Sequence, residues 1–287
     1  MPILVDLNQV AISNLMVAVN TYSKNQEINE GLIRHMVLNS LRMYKVRFGE
    51  EYGNFVICCD GRNYWRRKVF PFYKASRKKE RSQSTLDWTL IFDTLNKIRD
   101  EIEDNFPYKV ITVDGAEADD IIATIIMHYT NPVDKFLILS GDKDFMQLHN
   151  YTNVDQYAPV QKKFLRTSDP DKFLKEHILR GDRGDGIPNF ISSDNVFVSG
   201  SRQKVITKKK MENWLSSNSP EDFCINEDML RGYHRNKQLI DLSCVPEDIQ
   251  EEVKIQYSIN PGTRKDKIFT YFIKNKMKLL MEHIQEF

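Results

Sequence analysis

Short apolar, strand-prone runs that end on or beside carboxylates constrain this chain more than any other feature. Ile3-Leu4-Val5 leads into Asp6, and Phe55-Val56-Ile57-Cys58-Cys59 leads into Asp60. Lys109 to Val113 precedes Glu117, Asp119 and Asp120, Phe136 to Ser140 precedes Asp142 and Asp144, and Asp182 and Asp185 share a glycine-rich turn. Strands lying side by side in one direction bring their C-terminal ends to a single sheet edge, so acids distant in sequence converge in one crevice. Converging carboxylates repel one another unless cations stand among them, and an oxygen-only donor set suits hard ions such as Mg²⁺ or Mn²⁺. The expectation is a metal-dependent phosphoryl-transfer enzyme.

At 287 residues, with 41% hydrophobic, the chain can bury one large core or two smaller ones. No apolar stretch approaches membrane-spanning length. The start Met1-Pro2-Ile3-Leu4-Val5-Asp6 lacks a basic head and a cleavage site, which sets the expectation of a cytoplasmic protein. The four cysteines, Cys58, Cys59, Cys224 and Cys244, have no zinc-site spacing and read as free thiols. His35, His128, His149, His177, His234 and His283 form no metal signature and receive no chemistry at this stage.

A net charge of +1 conceals local segregation. From Arg62 to Arg81 run Arg66, Arg67, Lys68, Lys74, Arg77, Lys78 and Lys79, interleaved with Tyr64, Trp65, Phe70, Phe72 and Tyr73 and offset only by Glu80. Cations neutralise phosphates and aromatic faces accept unstacked bases, so the mixture suits a single strand or frayed end, with Arg66 and Arg67 as substrate contacts. A solvated loop with core-packed aromatics would read the same way in isolation. Its place directly after the Asp60 strand would let it overhang the acids. A second run, Arg202, Lys204, Lys208, Lys209 and Lys210, could grip a duplex backbone through phosphate contacts, or be plain surface.

Strand candidates at 3–7, 55–60, 109–113, 136–140 and 154–158 alternate with helical stretches at 32–44 and 86–106. This is α/β patterning: a central, mostly parallel sheet flanked by helices. After residue 167 the strand signal fades, and 171–179, 208–215, 230–239 and 267–284 read as helices. The expected division is therefore 1–167 as an α/β catalytic domain with a basic bridging segment at 62–85, and 168–287 as a smaller helical DNA-binding domain. Residues 75–85 are polar and expected to be mobile.

Each acid motif has a local explanation. Glu117, Asp119 and Asp120 could favour a helix N-terminus, Asp142 and Asp144 could cap the helix starting near Phe145, and Asp182 and Asp185 could simply serve a turn in Gly181-Asp182-Arg183-Gly184-Asp185-Gly186. For Glu117 and Asp119 to meet one ion, Glu117 must stand at or before the first helical turn. Joint occurrence after successive strands favours the site over separate caps.

In this order, Asp6, Asp60 with its basic aromatic stretch, Glu117-Ala118-Asp119-Asp120, Ser140-Gly141-Asp142-Lys143-Asp144-Phe145 and Gly181-Asp182-Arg183-Gly184-Asp185-Gly186-Ile187-Pro188 resemble the structure-specific 5′-nuclease family, which includes flap endonucleases. Tyr64-Trp65-Arg66-Arg67, Asp87-Trp88, Gln147-Leu148-His149 and the ending Tyr271-Phe272 to Glu286-Phe287 resemble its phage ribonuclease H branch. That resemblance implies a 5′-nuclease (PIN-like) fold and two Mg²⁺ ions, with Mn²⁺ as a substitute. Asp6, Asp60, Glu117, Asp119 and Asp142 would surround the first ion, Asp144, Asp182 and Asp185 the second, with Asp120 an outer member. Lys74 and Arg77 would draw in the scissile phosphate, and Tyr73 would stack on the terminal base. Implied substrates are RNA/DNA and DNA/DNA duplexes with 5′ ends or flaps, met during primer removal by a monomer, with a single-stranded-DNA-binding protein and a sliding clamp as partners. Residues 187–195 depart from the glycine-rich, Lys-Thr-containing turn of cellular relatives. Weaker readings are a single-domain endoribonuclease, a metal-dependent phosphatase, for which Asp6-Leu7-Asn8 lacks the second aspartate, and a silent DNA-junction binder.

Overall fold

The computed structural model describes residues 1–21, 28–262 and 265–287. Its strands are β1 (Pro2–Asp6), β2 (Asn54–Cys59), β3 (Lys109–Thr112), β4 (Phe136–Leu139), β5 (Val154–Ala158) and β6 (Lys163–Leu165). They form one sheet in the order β3-β2-β1-β4-β5-β6, parallel except for β6, which runs antiparallel to β5. Helices α1 (Leu7–Thr21), α2 (Glu30–Tyr52), α3 (Trp65–Val69), α4 (Ser76–Ser82), α5 (Trp88–Asn105) and α6 (Ala118–Tyr129) belong to the first half of the chain. Then come α7 (Pro170–Arg180), α8 (Lys208–Ser216), α9 (Glu227–Ile240), α10 (Glu247–Ser258), α11 (Lys265–Lys274) and α12 (Lys278–Met281).

The central strands are apolar throughout because both sheet faces are covered. Alternation sends Ile3, Val5, Phe55, Ile57, Leu137 and Leu139 into one core, beneath α1, α2 and α5. Leu4, Val56, Cys58, Phe136 and Ile138 enter the other, where α6 contributes Ile121, Ile122 and Ile125. Among the described residues no helix is long and apolar enough to cross a membrane.

The helical region expected from 168 to 287 is not one spatial unit. Residues 170–241 contribute to two small cores, one in which Ile178, Ile187 and Leu239 meet Phe70 and Tyr73 of the basic segment, the other from Leu179, Phe190, Met211, Trp214 and Phe223. Beyond residue 241 the chain returns to the sheet. Ile249 and Val253 of α10 join the α6 side, while Ile268, Phe272, Leu280 and Phe287 join the α5 side. The crossing is pinned by the buried Gln147 amide, which donates to the Ile240 carbonyl (3.1 Å) and accepts from the Leu242 amide (2.8 Å). An amphipathic sequence shows that a helix has an apolar side but not which surface it meets, so the expected division at 167 did not reveal that the last helices pack back onto the sheet.

Other differences are local. Residues 76–82, within the stretch expected to be mobile, are helical, and the helix expected over 267–284 breaks into α11 and α12, where Lys276 takes a left-handed φ of 55°. All four cysteines are free.

Candidate active site

The register of the central strands assembles the first acids. Asp6 ends β1 opposite Cys58, and Val5 pairs with Leu139, so Asp60 and Ser140 emerge beside it. The Ser140 hydroxyl donates to Asp6 Oδ2 (3.2 Å) and the Gln9 amide to Asp6 Oδ1 (3.0 Å). Asp60 accepts from Asn8 Nδ2 (2.8 Å) and from the Ala118 amide (2.9 Å), tying the end of β2 to the start of α6. Asp142 accepts from the Asp144 amide (3.0 Å), while Gln156 Nε2 holds the Ser140 and Asp142 carbonyls. Burial, with Asp60 and Asp142 adding repulsion, pushes the Asp6 carboxyl up to about 7. Burial likewise raises Asp142, reinforced by Asp185 and Asp182.

Glu117 is the N-cap of α6, so it stands before the first turn, where it and Asp119 can face the same space. The Arg66 guanidinium already fills part of it. Arg66 is 1% exposed and lies 3.0 Å from Glu117, 2.8 Å from Asp120 and 3.6 Å from Asp119, while its Nε donates to the Leu239 carbonyl (2.9 Å). Its sequence reading as a phosphate contact is thereby corrected: surrounded by carboxylates, it neutralises them from inside. Asp120, expected as an outer metal residue, lies close to Glu117 and Asp119; it is fully buried, accepts from Trp65 Nε1 (3.1 Å) and the Glu117 amide (2.9 Å), and faces Arg66. Glu117, Asp119 and Asp120 bring oxygens within 4.8 Å of one another, and Arg66 pairs with all three. Arg67, one residue on, is exposed and lies over the Tyr64 ring.

Lys74 and Arg77 do overhang the acids. Lys74 pairs with Glu117 and lies 3.7 Å from Asp185 Oδ2, and Arg77 Nη2 is 2.5 Å from Asp185 Oδ1. Burial opposes the Lys74 ammonium, but Asp185 and Glu117 outweigh it and raise its pKa. Desolvation works against the Glu117 carboxylate, yet Lys74 and Arg66 hold its pKa below the ordinary value. Lys74 has a left-handed φ of 54°, and its amide donates to the Asp185 carbonyl (2.7 Å), next to Gly186 with φ of 73°. Tyr73, expected to stack on a base, is instead 2% exposed, its hydroxyl 2.7 Å from Glu117 Oε2 and 3.0 Å from Asp185 Oδ2. Its ring faces the protein and offers no stacking surface.

Asp144 and Asp182 meet around a residue that the sequence did not single out, while Asp185 faces Tyr73, Lys74 and Arg77. His177, on the last turn of α7, lies 3.3 Å from Asp182 Oδ2 and 3.4 Å from Asp144 Oδ1. Its signal was its place one turn ahead of Gly181-Asp182. Burial and the neighbouring Asp142, Asp185 and Asp182 push Asp144 well above the carboxylate range. Burial would lift Asp182 too, but hydrogen bonds from His177 and Lys143 hold it well below.

Arg202, Lys204, Lys208 and Lys209 are all exposed, as a duplex grip requires. Their segment is fastened by Asn189, whose Nδ2 donates to the Lys204 carbonyl (2.8 Å), and by Ser192, whose hydroxyl accepts from the Lys204 amide (2.8 Å). Lys204 and Lys210 rim a groove of about 740 Å³ that also contains Phe72, Phe190 and Trp214.

A parallel sheet gathering carboxylates at one edge, overhung by a basic segment, defines a metal-dependent nuclease of the 5′-nuclease class. The chain belongs to the 5′-3′ exonuclease and flap endonuclease family: residues 3–177 match the family described as 5′-3′ exonuclease, N-terminal resolvase-like domain, and residues 169–287 match T4 RNase H, C terminal. It is 32% identical to Ribonuclease H of Enterobacteria phage T4, across 99% of this chain and 95% of that protein. A 5′-3′ exonuclease of Streptomyces coelicolor is 31% identical, over 47% of this chain and 50% of that one. In fold it is similar to the bacteriophage T5 flap endonuclease solved as a pseudo-enzyme-product complex with DNA and metal ions, at a TM-score of 0.63 and 16% identity, covering 91% of this chain and 99% of that chain.

Proposed function

We propose that the crevice hydrolyses phosphodiester bonds at 5′ ends with two divalent ions, Mg²⁺ or in its place Mn²⁺. What supports this most is that Asp6, buried at the end of β1, and Asp142 and Asp144, at the crevice beside it, all have raised carboxyl pKa values, while Arg66 and Lys74 neutralise other acids. In these three the repulsion and desolvation outweigh the nearby cations, and hard divalent ions fit a carboxylate donor set. Asp6, Asp60, Asp119 and Asp142 would hold the first ion, directly or through water, with Glu117 anchoring Lys74 beside them. Asp144, Asp182 and Asp185 would hold the second. When bound, such a pair supplies an activated water and neutralises the attacking and leaving oxygens.

The chain's own residues do the rest. Lys74 and Arg77 attract the scissile phosphate and stabilise its added charge, Arg67 meets the backbone, and Arg202, Lys204, Lys208 and Lys209 hold the adjoining duplex without reading sequence. Every one of these groups comes from a single chain, so a monomer suffices. The substrates are RNA/DNA and DNA/DNA duplexes with 5′ ends or flaps, and the role is removal of RNA primers and adjacent DNA during lagging-strand replication.

A 5′-labelled RNA-primed duplex and a 5′-flap duplex, incubated with Mg²⁺ or EDTA, test this directly. Short 5′ products should appear only with the ion. Asp142→Asn and Asp182→Asn should keep duplex binding and lose cleavage; unchanged turnover in both would overturn the two-ion assignment.

A further inference from the structure

Gln156 is a fully buried amide in the middle of β5, beside Ile138 of β4. Its Nε2 donates to the Ser140 carbonyl (3.0 Å) and to the Asp142 carbonyl (2.6 Å), so both of its hydrogens go to the loop that leaves β4. Two carbonyl acceptors settle which end of the amide is nitrogen. The amide oxygen therefore faces His149 Nε2, at 3.1 Å, and an acceptor there requires a hydrogen on Nε2. The other side of the ring agrees independently, because the Thr167 backbone N–H donates to His149 Nδ1 (3.3 Å), which must carry a lone pair. A hydrogen on Nδ1 would set two donors against each other, and burial also holds the His149 pKa below its ordinary value.

These bonds run in one direction, from the Thr167 amide through His149 and Gln156 to the backbone on either side of Gly141. Thr167 lies three residues ahead of α7, which leads into Asp182. At the far end, the Asp142 amide rests on the Ser140 hydroxyl (3.1 Å) and the Asp144 amide on Asp142 Oδ1, so holding the two carbonyls holds the backbone from which both carboxylates project. Groups that touch no ion but orient its ligands set metal affinity. We propose that Gln156 is a positioning residue for Asp142 and Asp144, kept in orientation by His149, and that the pair tunes how tightly the crevice holds divalent ions. This rests on the two-ion reading above.

The test is Mn²⁺ binding without substrate, followed by electron paramagnetic resonance of the free ion, on the full chain and three variants. Gln156→Met keeps the length of the side chain and removes its hydrogen bonds; it should weaken Mn²⁺ about 10- to 100-fold, and saturating Mn²⁺ should restore most of its cleavage. His149→Gln can still donate to Gln156 and should bind Mn²⁺ as wild type does. His149→Asn can accept from Thr167 but not reach Gln156, and should follow Gln156→Met. Wild-type affinity in Gln156→Met, or equal affinities in the two His149 variants, would overturn the proposal and leave the two-ion reading intact. A single Mn²⁺ in wild type, weakened by Gln156→Met, would overturn the two-ion reading and keep the positioning role, whereas no Mn²⁺ binding would overturn both. If Gln156→Met fails to fold, the two His149 variants decide the matter.

Discussion

Replacing Arg66 with Met separates a buried compensator from a phosphate contact. In the parent its guanidinium lies 3.0 Å from Glu117 and 2.8 Å from Asp120, at 1% exposure. Removing one partner of a buried ion pair costs about 3–5 kcal/mol, because the remaining charge stays buried and unpaired. Orphaning the Leu239 carbonyl adds about 1 kcal/mol. For a chain of this size each 1 kcal/mol shifts Tm by about 2–4 °C, so the variant should melt roughly 10–20 °C lower. Asp119 and Asp120 are already raised by burial, and they can shed charge by taking up protons. The loss should therefore shrink as pH falls. Calorimetry and urea melts of metal-free protein at pH 6 and 8 measure this. Arg67→Met, on the exposed neighbour, should cost less than about 0.5 kcal/mol and reduce the slope of log K against log salt for DNA binding by about 0.9. An Arg66→Met protein that melts within about 2 °C of the parent and shows that reduced salt slope would refute the reasoning and restore Arg66 as a substrate contact.

Lys74→Ala should slow single-turnover cleavage about 10²-fold with a much smaller change in Kd by fluorescence anisotropy; equal losses in both would make Lys74 an anchor only. The Asp6 carboxyl rises from 3.8 to about 7 on folding, so the folded metal-free protein binds the extra proton. That stabilisation is present below about pH 4 and disappears as pH rises through about 7, with Asp142 and Asp144 acting in the same direction. Glu117 and Asp182, held low, act oppositely and lose their contribution as pH falls. Mg²⁺ competes with the protons, so its effect on Tm should be larger at pH 8 than at pH 5.5, and equal increments would count against a site built on Asp6. Gly186→Ala puts a Cβ 2.9 Å from the Phe72 carbonyl at a φ of 73°; it should cost about 1–2 kcal/mol and lower kcat by displacing Lys74 from Asp185, and a stability loss with kcat unchanged would show that the two loops move independently.

The five parallel strands were legible to within a residue or two because fully buried strands are continuous apolar runs, and their terminal acids followed. Strand β6, three residues long, left too little pattern to read. Helix α1 begins at Leu7 with no loop after Asp6, so no break announced it. Arg66 looked like its neighbours Arg67 and Lys68; only the single turn of α3 sends it inward with Trp65 while they face solvent. His177 was hidden for another reason, as its two acids lie 33 positions before it and five after, a proximity made by packing α7 against the turn after β4. Tyr73 shows the limit of composition, because an aromatic in a basic run can be a hydrogen-bond donor to the acids as readily as a stacking platform.

The return of α10, α11 and α12 to the sheet bears on biosynthesis. β1 leaves the ribosome ahead of its partner β4, which follows some 130 residues behind, a delay on the order of ten seconds at about 5–20 residues per second. By residue 185 the nascent chain has every acid assigned to the crevice, but both faces of its sheet remain partly bare until α10 and Phe287 arrive. A chain stopped before α10 would carry the acids on a partly uncovered sheet, which makes it a candidate for proteolysis rather than a smaller nuclease.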